Sequence, residues 1–217
     1  MSSHRFAPRP ISTRTSAPAD EQPRITALVR QADAVADAWR ETSGRASAVV
    51  ASALVGLLER HDWPRHACCE LVLRGPQNGL SLPANDEKRG MPTLSLGAIQ
   101  DGQVVPVAHT KWADVSAERA EPYLLKRHDV LVVRGNGNRD LAARCGIVDE
   151  LPGRYFYPDL LIRLIFDLAR IRPEFAALQW NSATVQRQLT RRAKSTNGIW
   201  KVNGKDCLLY TSPSPRD

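Results

Sequence analysis

Apolar residues repeat at heptad spacing over the first quarter of the chain, and this repeat constrains the fold more than any other sequence feature. Ile25, Ala32, Trp39, Ala46 and Ala53 fall seven residues apart, and Val29, Ala36, Ser43, Val50 and Leu57 follow each of them by four. Such an i, i+4, i+7 stripe predicts an amphipathic helix with a coiled-coil seam. Asp20, or Glu21-Gln22 with Pro23, supplies a start, and Pro64 supplies a stop because it disfavours helical backbone at Trp63. The predicted helix lies within residues 21–62 and runs for roughly 37 residues, about 55 Å at 1.5 Å per residue. Globular helices average about 11 to 12 residues, so one this long reads as a spacer or half of a coiled coil. Its seam is Ile25, Val29, Ala32, Ala36, Trp39, Val50 and Leu57. Two shorter helices broken near Ser43-Gly44 and folded on each other are the alternative.

Around this stripe the texture changes twice. Residues 1–20 are rich in Pro, Ser, Thr and Arg with little apolar periodicity, a composition that does not offset the entropy of ordering, and they read as a disordered leader. Beyond Pro64, β-leaning runs at 70–73, 92–96, 129–133, 146–148 and 160–165 alternate with the turn signals Gly75-Pro76, Asn78-Gly79, Asp101-Gly102, Asn136-Gly137 and Pro152-Gly153. A helix is expected over 175–193. The fold class is therefore α+β: a long helix followed by a mixed domain over residues 63–206.

The last eleven residues, CLLYTSPSPRD (207–217), resemble the in-frame translation of a transposase-end sequencing adapter. On that reading they are an artefact, and Cys207 and Tyr210 carry no functional argument.

Catalytic chemistry is missing from the pattern. Cys68-Cys69 cannot both serve a four-ligand site with the scattered histidines, and no CxxC or HExxH occurs, so no metal is expected. Gly135-Asn136-Gly137-Asn138 follows a predicted strand but lacks GxGxxG spacing and the Lys-Ser/Thr of a phosphate loop, which favours a tight turn. There is no GxSxG elbow, no acidic-x-Lys pair after Pro158-Asp159, and no Asn/Asp-Pro-Pro-aromatic loop. No cofactor is expected either. Apolar runs at 46–58 and 160–166 are shorter than the ~20 residues a membrane helix needs. With no secretory signal and no disulfide framework among Cys68, Cys69, Cys145 and Cys207, a cytoplasmic location is expected.

Charge points towards a polyanion. Residues 1–59 carry seven basic and six acidic groups, whereas residues 60–206 carry twenty-two and sixteen, so most of the +7 net charge sits in the second part. The stretch 175–205 contains no carboxylate. Arg and Lys meet phosphates, Arg or Lys reads guanine, and Asn or Gln reads adenine, so a DNA-reading surface needs this mixture on rigid turns. The candidates are Arg74, Gln77 and Asn78 on an early turn; Arg134, Asn136 and Asn138 on a middle one; and Gln188, Arg191, Arg192, Lys194, Asn197 and Lys201 on a late helix and loop. A solvated helix face and a hairpin turn at Asn78-Gly79 are the plainer readings of the same residues.

Four blocks carry a resemblance to a known family. They are 74–79 (RGPQNG) leading into 90–102 (GMPTLSLGAIQDG), then 125–134 (LKRHDVLVVR), then 194–199 (KSTNGI), with 19–25 (ADEQPRI) opening the long helix. Their order and spacing resemble the target recognition domain and conserved helical region of type I restriction-modification specificity subunits, although Pro23 stands where that family usually has Arg. The resemblance implies a subunit without catalysis that binds double-stranded DNA and reads one half of a split site. It also implies that the helix pairs with a second helical region or self-associates, and that modification and restriction subunits dock on it. Family members typically carry two such domains and two helices. A recognition part of a fused restriction-methylation enzyme, or a coiled-coil protein-binding adaptor, remain as alternatives.

Overall fold

The computed structural model describes residues 65–209 and 211–213, together with Ala27, Arg30, Gln31, Thr42, Val49 and Ala53. The chain divides into two compact units, Met1–Val50 and Ala51–Asp217. In the first, Ala27, Arg30, Gln31, Thr42 and Val49 are helical and exposed. The predicted seam residues Ile25, Val29, Ala32, Ala36, Trp39, Val50 and Leu57 lie outside the described residues.

In the second unit the architecture is α+β, as expected. Its centre is a six-stranded sheet in the order β2 (Val72–Asn78), β10 (Leu161–Phe166), β7 (Val130–Val133), β9 (Cys145–Ile147), β5 (Gln103–Val104) and β4 (Ile99–Gln100). All pairings are antiparallel except β5 with β9. The middle strands are buried on both faces, which is why VLVV and LIRLIF read as near-continuous apolar runs rather than alternating ones. Their period of two still sorts them: Val130, Val132, Ile162, Leu164 and Phe166 enter one core cluster, and Leu131, Val133 and Leu161 the other. A separate pair, β3 (Met91–Leu94) with β6 (Thr110–Ala113), organises a third cluster around Leu124 and Phe156, to which the short helix α2 (Ala117–Ala120) adds Ala120. Helices α3 (Pro173–Trp180) and α4 (Ala183–Arg192) cover the first face of the main sheet, contributing Ala176, Ala177, Trp180, Val185 and Leu189.

Three expectations are corrected here. The run 70–73 is not wholly a strand: Glu70 and Leu71 close the helical turn α1 (Cys68–Leu71), and β2 begins only at Val72. Nor is 74–79 a turn between strands, because Arg74, Gln77 and Asn78 lie within β2, paired with Ile165, Arg163 and Ile162. Asn78-Gly79 makes no hairpin; Gly79 is required because a Cβ there would stand 2.2 Å from the Tyr157 carbonyl oxygen. The helix expected over 175–193 is two helices, and Ser182 caps the second by accepting from the Val185 N–H at 3.4 Å. Strands β3, β7, β9 and β10 overlap the β-leaning runs 92–96, 129–133, 146–148 and 160–165.

Helix α5 (Gly204–Leu208) buries Cys207 in the first core cluster, and β13 (Thr211–Pro213) pairs antiparallel with β1 (Arg65–Ala67).

Candidate nucleic-acid interface

Register places several of the candidate residues at one end of the main sheet. Asn78 opposes Ile162 at the end of β2, while Val133 opposes Leu161 at the end of β7. From there Arg134 leads directly into β8 (Gly135–Asn136), the outer strand of a three-stranded sheet with β12 (Ile199–Lys201) in the middle and β11 (Lys194–Thr196) beyond it. Arg134 is half-buried: its backbone carbonyl accepts from Val202 N–H at 2.9 Å, and its Nη1 donates to the Asp159 carbonyl at 3.2 Å. It therefore holds the small sheet against the large one.

The late hairpin is the exposed part of this end. Thr196 opposes Ile199, leaving Asn197-Gly198 as a two-residue loop, and both residues have positive φ, 52° and 75°. Two successive positive φ values define the type I′ geometry that matches strand twist, and Asn-Gly is the sequence best suited to it. Lys194 stands directly opposite Lys201 on this ribbon, and both are exposed. Facing like charges destabilise an antiparallel pair. Arg191 and Arg192, exposed in the last turn of α4, lead into the ribbon. Elsewhere Arg89, Lys111, Arg127, Arg154 and Arg163 each pair with a carboxylate. Among the described residues no carboxylate pairs with Arg187, Arg191, Arg192, Lys194, Lys201 or Lys205.

Asn136 and Asn138 shape the loop beside the ribbon. The Asn136 side-chain oxygen accepts from Asn138 N–H at 2.9 Å, and that of Asn138 accepts from Asp140 N–H, also at 2.9 Å. These are successive Asx turns, so both oxygens are engaged and the amide NH2 groups can serve a ligand only as donors. This glycine-flanked loop is the tight turn expected of it. Asn78 is exposed and shares a shallow cleft of about 450 Å³ with Pro76, Asn203, Gly204 and Lys205. Gln188 is half-buried on α4.

Two candidates sit apart from this group. Arg74 is exposed but opposes Ile165, near the far end of β10. Gln77 is half-buried, and its Oε1 accepts from Arg163 Nη2 at 2.5 Å. Arg163 is the buried hub: it also donates to the carbonyls of Leu124 and Pro122 at 2.8 Å each, reaches Asp129 at 3.4 Å, and lies 5.3 Å from the Tyr157 ring centroid. Burial pushes the Asp129 carboxyl above its ordinary value, opposed by the Lys126 N–H and by Arg163. Gln77 is thus engaged in the core of the domain.

Sequence reasoning missed Arg139. The Arg139 guanidinium carbon stands 4.7 Å from the centroid of the Trp200 ring, and its Nη2 donates to the Thr190 carbonyl on α4 at 3.2 Å. Trp200 pairs with Asn136 across the small sheet, so one guanidinium joins the 136–140 loop, the ribbon and α4. Only the spacing of an Arg two residues past an Asn-Gly turn signalled it, and the ring partner is 61 residues away. Among the described residues, no group of three or more His, Cys, Asp or Glu is placed to hold a metal ion, and no helix is long and apolar enough to cross a membrane.

No family model and no curated protein matches the sequence. Solved structures do. A chain from a structure concerned with complex assembly and conformational transition of the type I restriction-modification system superposes with a TM-score of 0.53 at 16% identity, over 92% of this chain and 48% of that one. The restriction-modification S subunit from M. genitalium gives 0.45 at 14% identity over 69% and 33%, and the HsdS subunit from Thermoanaerobacter tengcongensis gives 0.43 at 17% over 91% and 47%. The chain thus has the fold of a type I restriction-modification chain and spans about half the length of that match.

Proposed function

We propose that this chain is the DNA-reading part of a type I restriction-modification specificity subunit. In this reading it binds double-stranded DNA without catalysis of its own and recognises one half of a split site. Its helical region pairs with a second such region or self-associates, and positions modification and restriction subunits in the cytoplasm. The observation that carries the reading is the group of exposed cations on α4 and the hairpin, culminating in Lys194 directly opposite Lys201 with no carboxylate paired to either. A fold gains nothing from two facing lysines, whereas a row of phosphates turns their repulsion into attraction.

Salt dependence tests this. Binding of the full chain to a mixed-sequence duplex should weaken steeply between about 50 and 200 mM salt, and each phosphate no longer neutralised should reduce the slope of log K against log salt by roughly 0.9. Replacing Arg191 and Arg192, or Lys194 and Lys201, by Ala should lower the slope in this way. A chain that bound no duplex at low salt would leave the protein-binding adaptor in its place.

A further inference from the structure

Electrostatic grip alone does not determine which element reads bases. We propose that the β11–β12 hairpin is a ribbon that enters the DNA major groove with Asn197 at its tip against an adenine edge, and that Arg139 is the positioning residue that sets the ribbon's angle; this rests on the DNA-binding reading above.

Size and charge support the insertion. The major groove, about 12 Å wide, admits a two-stranded β-ribbon. The hairpin offers such a ribbon at the edge of its small sheet, and a Cβ added at Gly198 would meet no atom within 4 Å, so the tip stands in open space. Behind the tip, Lys194 and Lys201 flank the ribbon where the groove's phosphate walls pass. Asn197 is exposed in the left-handed conformation, and its amide has the donor and acceptor needed to pair with adenine N7 and N6–H.

Arg139 has a different part. Its guanidinium is engaged by the Trp200 ring and by the Thr190 carbonyl, which makes it a brace between α4 and the ribbon rather than a phosphate contact. The two Asx turns at Asn136 and Asn138 fix the loop that delivers it. A lysine could not replace it, because a point-like ammonium cannot stack flat on an indole and bond a carbonyl with the same fixed fork.

The experiment begins with selection of the full chain against a randomised duplex pool, followed by affinities for the enriched duplex and a shuffled one. Asn197→Ala should weaken the enriched duplex by about fivefold or more, with the shuffled duplex unchanged. Substituting 7-deazaadenine at the enriched adenines, which removes N7 from the major groove alone, should weaken the unaltered chain but not Asn197→Ala. Arg139→Ala and Arg139→Lys should both shrink the ratio between the two duplexes while the salt slope stays at its original value. Rescue by Arg139→Lys together with a reduced slope for Arg139→Ala would make Arg139 a phosphate contact and overturn its bracing role. Equal losses on both duplexes for Asn197→Ala, or insensitivity of the unaltered chain to 7-deazaadenine, would overturn the insertion. Failure to bind any duplex would overturn the DNA-binding reading itself, an outcome distinct from binding that ignores the hairpin.

Discussion

At the residue scale, Arg163 shows how a charge can sit in the middle of a core strand. By the period of two it points to the same face as Leu161, where residues 121–129 cross the sheet, and there it satisfies the carbonyls of Pro122 and Leu124, the Gln77 amide and the Asp129 carboxylate. The pair is almost fully buried, with side-chain exposures of 8% and 4%. Removing one partner of a buried pair leaves an uncompensated charge and costs about 3–5 kcal/mol. Arg163→Met should lose stability of that size at neutral pH, measured by urea unfolding. The pH dependence has a definite sign. Burial already raises the Asp129 carboxyl, so the folded state binds its proton more tightly than the unfolded state, and this group's contribution to stability falls as pH rises from the ordinary carboxylate value through the raised one. Without Arg163, which lowers the carboxyl, that window extends upward. The deficit of Arg163→Met should therefore be smaller at about pH 5 than at about pH 7. An equal deficit at both would mean that Asp129 does not feel Arg163.

At the scale of elements, the hairpin and β2 show what the sequence does and does not reveal. Both contain Asn-Gly, the strongest short hairpin signal, yet only Asn197-Gly198 forms the turn. Lys194–Thr196 and Ile199–Lys201 flank it at equal length and pair with each other across the turn, so local rules suffice to place it. Asn78-Gly79 is followed by no strand in register to return, and β2 pairs instead with β10, more than 80 residues away, where the glycine admits the Tyr157 carbonyl. Long-range pairing of this kind is invisible to local pattern, which is why Arg74 and Gln77 read as turn residues. The apolar strands β7 and β10 were legible because burial on both faces leaves a continuous run. The break between α3 and α4 was signalled by Ser182, whose capping role periodicity masks. The contact between Arg139 and Trp200 was not legible, since a cation–π pair has no fixed sequence spacing. The turn itself can be tested: a β-branched residue at φ 75° is strained, and Gly198→Val should destabilise the hairpin by about 1–2 kcal/mol. Amides of residues 194–201 should then exchange about 5- to 30-fold faster, while those of β7 and β10 keep their protection.

At the scale of the whole molecule, the two proposed roles, association and DNA binding, draw on different parts of the sequence. The exposed cations and the hairpin belong to the unit Ala51–Asp217, whereas most of the heptad stripe, Trp39 included, falls in Met1–Val50. A helix with such a stripe leaves apolar surface open to water unless another helix covers it. A second copy of the same stripe would supply such a cover. The isolated chain should accordingly self-associate, and Trp39→Glu, which places a charge in the seam, should return it to a monomer by light scattering. The same substitution should leave the salt slope of DNA binding per chain unaltered. Conversely, replacing Lys194 and Lys201 by Ala should reduce that slope by roughly 0.9 for each phosphate no longer neutralised, while the mass stays that of the assembled form. The two effects are independent only if association and DNA binding use different surfaces. A monomer in the unaltered chain would remove the coiled-coil role, and a Trp39→Glu chain whose salt slope fell with its mass would show that DNA is gripped by the assembly rather than by each domain.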